Sequence, residues 1–126
     1  MNSLAKTGAV IVLFALASYT VAVLSEQRRR LVTPLVLLFL TLGVMLDITA
    51  TAFMIAGSSK GPFTLHGLLG YSSLAGMIID AALIWRFRLN NPQTAPVPRG
   101  LHLYTRAVYV WWIAAFVTGG LLVAMR

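Results

Sequence analysis

Apolar residues dominate the chain in four long runs, each interrupted by a short polar cluster. The first run covers about 8–24, with only Ser18, Tyr19 and Thr20 as polar breaks, and stops at Arg28-Arg29-Arg30. The second covers about 31–56; Pro34 falls in its first turn, where a missing N–H is harmless. Gly57-Ser58-Ser59-Lys60-Gly61-Pro62 is a dense turn signal, and the third run follows over about 63–87. Between Asn90 and Gly100 lie Pro92, Pro96 and Pro98, which enforce an extended connection before the fourth run, about 101–125. Each run approaches or exceeds the roughly 20 apolar residues that cross a bilayer as a helix. The pattern predicts an all-α membrane protein, a single four-transmembrane-helix bundle with no separate soluble domain.

Composition sharpens this picture. Of 126 residues, 59% are hydrophobic and 10% charged, more apolar surface than a soluble domain of this size can bury. The net charge of +7 does not indicate nucleic acid. The basic residues sit mainly at the ends of the apolar runs, where they set membrane orientation and attract anionic lipid, and no basic groove with interleaved aromatics is present. Arg28, Arg29, Arg30, Arg86, Arg88, Arg99 and Arg106 fall on one side, and Lys6, Lys60 and Arg126 on the other. The expected location is therefore the bacterial cytoplasmic (inner) membrane, multi-pass, with arginine-rich loops in the cytoplasm and both termini outside. Arginines directly after the first run resist translocation, so that run is expected to remain as a helix rather than be removed as a signal peptide.

The absence of cysteine excludes disulfides, thiolate catalysis, cysteine-ligated metals and covalent haem attachment. A cofactor held by His or Met stays open. No nucleophile–base pair or phosphate loop is recognisable, so no catalytic residues are assigned and no hydrolytic enzyme is expected.

Polar residues within the runs need a reason to be there. His66, Gly70, Ser73, Met77 and Asp80 follow each other at steps of four, three, four and three, which places them on one helical face. Gly67 and Gly70 remove bulk beside His66, which suits either close helix packing or a flat cofactor. On the fourth helix His102, Arg106, Tyr109 and Ile113 share a face. His102 there is either a solvated interfacial side chain or a ligand. Arg106 either snorkels to the headgroups or pairs with Asp80 at similar depth on the antiparallel neighbour. Asp47, with Thr51 and Met54 on its face, is a buried acid, either hydrogen-bonded structurally or linked to a proton or cofactor. The two histidines lie near opposite surfaces, separated by more than about 20 Å in a core about 30 Å thick, so one haem cannot join them within a protomer.

The strings Pro62-Phe63-Thr64-Leu65-His66-Gly67-Leu68-Leu69-Gly70-Tyr71 and Leu101-His102-Leu103-Tyr104-Thr105-Arg106-Ala107-Val108-Tyr109-Val110-Trp111-Trp112 resemble those of the HsmA-type haem-sensing membrane proteins. These are small bacterial four-helix proteins, and the resemblance extends over nearly the whole chain. It implies non-covalent haem b, in unknown number, and a part in haem tolerance, oxidative-stress defence or membrane electron transfer. It favours His66 and His102 as iron ligands, with Gly67, Gly70, Met54, Tyr109 and Arg106 around the cofactor. Arg86, Arg88, Arg99 and Arg106 suit haem propionates. Two other functions fit the size: an accessory subunit of a larger membrane complex, and a small transporter assembled as a homodimer. Against the transporter stands a first helix without a charged residue; Asp47 and Asp80 keep it open. Expected partners are the lipid bilayer and a second copy or larger membrane complex, with no nucleic acid.

Overall fold

The computed structural model describes the backbone of residues 3–56 and 65–124; the side chains of residues 3–5, 54, 65–67 and 120–124 lie outside that description. Four helices account for nearly all of it: α1 (Ser3–Arg29), α2 (Pro34–Ala56), α3 (Leu65–Asn90) and α4 (Arg99–Ala124). Helices adjacent in sequence pack against each other, and α1 also meets α4, so the four close into a ring.

Three helices contain stretches long and apolar enough to cross a membrane: Lys6–Arg29, Pro34–Phe53 and Leu68–Asn90. Their outward side chains match that role. Phe14, Leu38, Met45 and Leu68 are all more than half exposed, an exterior that water would penalise and lipid accepts. Over its described side chains, which end at Gly119, α4 is not among these stretches. His102, Tyr104, Thr105 and Arg106 make its first half too polar.

The helix ends differ from the sequence reading where polar residues continue a helix instead of stopping it. α1 runs on to Arg29, so Glu26 belongs to it, and the expectation of an uncharged first helix is corrected. Its own periodicity explains this, since Ala15, Tyr19, Ala22 and Glu26 lie at helical steps and are all buried. The helix ends only at Arg30, whose φ of 51° is the left-handed turn that breaks it. The Arg30 N–H still donates to the Glu26 carbonyl at 2.6 Å.

α2 begins at Pro34 and not at 31. Thr33 caps it, its Oγ1 accepting from the Val36 N–H at 3.3 Å, and Pro34 takes the first helical position. Thr33→Ala is expected to cost about 1 kcal/mol, read as an earlier unfolding midpoint in mixed micelles.

The two connections flanked by arginines, 30–33 and 91–98, meet at one end of the ring. Val97 N–H donates to the Arg30 carbonyl at 2.7 Å, and Arg30 Nη2 donates to the Val97 carbonyl at 2.8 Å. Val32 and Val97 are buried beneath this clasp and close that end of the core. It is called the arginine end below.

Close approach of the helices depends on two glycines. A Cβ on Gly43 would run into the ring of Tyr19, and one on Gly76 into Val108. Gly43 thus admits a tyrosine from α1 across the face of α2, while Gly76 sets the contact between α3 and α4.

Candidate functional site

All three acidic residues of the chain are buried, and each lies on a different helix: Glu26 on α1, Asp47 on α2 and Asp80 on α3. A carboxyl in an apolar interior must find hydrogen-bond donors or lose several kcal/mol (roughly, and depending on its charge). Here α4 supplies at least one donor to each.

At the arginine end His102 Nδ1 lies 2.7 Å from Glu26 Oε2. Gln27 Nε2 donates to Glu26 Oε1 at 2.7 Å and to the His102 carbonyl at 3.0 Å. Arg106 Nε donates to Gln27 Oε1 at 2.9 Å, and its Nη2 stands 3.5 Å from His102 Nε2. Glu26, Gln27, Arg106 and His102 thus form a closed ring of four side chains. With Nδ1–H given to the carboxylate, Nε2 is the acceptor facing the guanidinium.

Asp80 lies deeper in this half. Thr105 Oγ1 donates to its Oδ1 at 2.5 Å, while its Oδ2 is buried and has no partner among the described residues. A small void lined by Ala22, Glu26, Val36, Leu40, Ile84 and Thr105 lies in the same half of the bundle, with no room for a water molecule.

Asp47 occupies the other half of the bundle. Its Oδ2 accepts from Tyr19 Oη at 3.0 Å and from Trp112 Nε1 at 2.8 Å. The Tyr19 and Trp112 rings meet edge to face at 5.0 Å, and Phe116 stacks on Trp112 at 5.8 Å. Asp47 is therefore tied to α1 and α4, and two aromatic donors hold it. Tyr109 adds a further cross-link, its hydroxyl 2.7 Å from Thr20 Oγ1 on α1.

The side chains by which α4 bonds across the bundle follow at steps of three, four and three: His102, Thr105, Tyr109 and Trp112. The expected face of His102, Arg106, Tyr109 and Ile113 is thus rotated by one residue at alternate positions. The reason is the cost of burial. Thr105 and Trp112 are short or mostly apolar and enter the core, whereas Arg106 keeps its charge exposed. The predicted Asp80–Arg106 pair is accordingly corrected: the two form no ion pair, and Asp80 turns to Thr105. Glu26, Thr105 and Trp112 are site residues that the sequence reading missed. Glu26 lies beyond the expected end of the first helix, and nothing in the string from Leu101 to Trp112 marks Thr105 or Trp112 as partners of an acid.

The remaining predicted positions divide by what is described. Gly70 is followed by open space, since a Cβ placed there would meet nothing within 4 Å. Ser73 and Met77, on the same face, are buried. His66 and Gly67 belong to the first turn of α3 and Met54 to the last turns of α2, but their side chains lie outside the described ones. Among the described residues no group of three or more His, Asp or Glu side chains could hold a metal ion. Trp111 donates to Ser72 Oγ at 2.9 Å on the exposed side of the contact between α3 and α4.

The pattern defines a class: a helical protein with a lipid-compatible exterior and an interior of shared polar groups. No protein-family model, curated protein or solved structure matches the chain.

Proposed function

We propose that the chain is an integral membrane protein of four spans that binds haem b non-covalently at the end of the bundle where α3 begins, with His66 as an axial ligand. Leu121-Leu122-Val123-Ala124 extends the apolar half of α4 in the sequence and completes the fourth span. The observation that carries the haem reading is the contrast between the two histidine levels. His102 is engaged at both ring nitrogens by Glu26 and Arg106, whereas the α3 face leading to His66 opens at Gly70. Apolar contact would supply most of the affinity, and the imidazole would fix position and spin state. The resemblance of the Pro62–Tyr71 string to haem-sensing membrane proteins supports the same end of the bundle.

The test is an absorption spectrum of protein purified in detergent from haem-replete cells. A Soret band is expected, with His66→Ala losing most of it while still inserting in the membrane. His102→Ala is expected to keep the band and lose stability. Colourless pure protein, or an unchanged spectrum in His66→Ala, overturns the proposal.

A second reading is favoured by Glu26. An acid buried in the first helix, in the same half of the bundle as the unpartnered Asp80 Oδ2, suits a small proton-coupled transporter. That reading expects Glu26→Gln to abolish substrate-driven proton movement in proteoliposomes and leave haem content unchanged.

A further inference from the structure

The wall between α3 and α4 is open at the arginine end. A groove of about 530 Å³ runs there, lined on its apolar side by Leu83, Phe87, Leu101 and Tyr104, with Arg86 and Asn90 also on its walls. Leu83 lies within the apolar stretch Leu68–Asn90, and Asn90 is its last residue, so the groove crosses from apolar helix to polar end. Gly100 leaves one wall without a side chain, and a Cβ there would meet nothing within 4 Å.

The charges of the groove are one-sided. Arg86 is exposed and engages no acceptor among the described residues, and the Asn90 amide is likewise uncommitted. No acid lines the groove, because all three acids of the chain are turned into the bundle. An apolar trough that ends at an uncompensated cation has the chemistry of an amphiphile with an anionic head. An arginine fork suits phosphate oxygens, and basic pockets between helices at a membrane surface retain anionic headgroups.

We propose that this groove holds one anionic phospholipid, with an acyl chain along Leu83, Phe87 and Leu101 and its phosphate on Arg86 and Asn90. The site is independent of haem at the far end of the bundle.

Native mass spectrometry of the full chain, released from micelles containing phosphatidylglycerol or phosphatidylcholine of identical acyl chains, tests it. Wild type is expected to retain phosphatidylglycerol over phosphatidylcholine by about fivefold, the factor one basic residue near an anionic surface supplies. Arg86→Gln should remove that preference. Gly100→Leu, which fills open space, should lower retention of both lipids. Arg29→Gln, an exposed arginine outside the groove, should change neither. Equal retention of the two lipids by wild type overturns the proposal. So does an equal loss in Arg29→Gln and Arg86→Gln, which would mean diffuse charge. Displacement of the lipid by glycerol 3-phosphate alone would show a headgroup site without an acyl-chain groove, and also rejects it.

Discussion

Glu26→Ala is expected to lower the unfolding free energy by about 3–5 kcal/mol, the cost of breaking a buried pair by removing one partner. Glu26 is fully buried and accepts from His102 and Gln27. Its removal leaves the His102 Nδ1 group without its acceptor. Gln27 also loses one acceptor, and with it the geometry that receives Arg106. The double replacement Glu26→Leu with His102→Leu should be far milder, within about 2 kcal/mol of wild type, because both polar groups leave together. Unfolding in mixed micelles, followed by tryptophan fluorescence, separates the cases. A Glu26→Ala loss below about 1 kcal/mol would mean that the ring of four side chains contributes little to stability.

Gly43→Ala is the second change with a large expected effect, about 2–4 kcal/mol from overpacking and the lost hydrogen bond together. A methyl group at this position enters the space of the Tyr19 ring. Tyr19 is fully buried between helices, so the ring cannot move without cost. Displacing it withdraws its hydroxyl from Asp47 and its edge from Trp112. The variant should therefore lose near-ultraviolet circular dichroism from Trp112 as well as stability. Adding Tyr19→Ala to Gly43→Ala should relieve the clash, so that the two losses sum to less than their separate values. Strict additivity would show that Gly43 and Tyr19 do not compete for the same space.

Much of the helical organisation was legible because lipid exposure writes it in long apolar runs. Runs two, three and four end within a few residues of the observed helices, and the proline-rich connection lies where Pro92, Pro96 and Pro98 put it. The first helix extends past its apolar run, because Arg28-Arg29-Arg30 look like a polar boundary in the sequence. A helix can instead continue through such residues when one face remains buried, as Ala22 and Glu26 show. The face of α3 through Ser73, Met77 and Asp80 was readable, since small and polar residues at helical spacing had few other places to go. The face of α4 was harder. His102-to-Arg106 and His102-to-Thr105 are both neighbour spacings on a helix, and choosing between them requires knowing which group the core accepts. Partner identity was harder still. That Asp47 lies with Tyr19 and Trp112 depends on Gly43, a glycine whose importance appears only when the α1 ring lies against it.

The donors of α4 also fix how far that helix can travel along its own axis. His102, Thr105 and Trp112 reach acids on α1, α3 and α2 in turn, so a slide of one turn, about 5.4 Å, would separate all three pairs at once. Hydrocarbon offers no water to replace them. α4 therefore cannot shift along its axis independently of its neighbours. Mismatch in thickness must be met by tilting the whole bundle or by deforming the surrounding lipid, and the protein responds to its membrane as one rigid body.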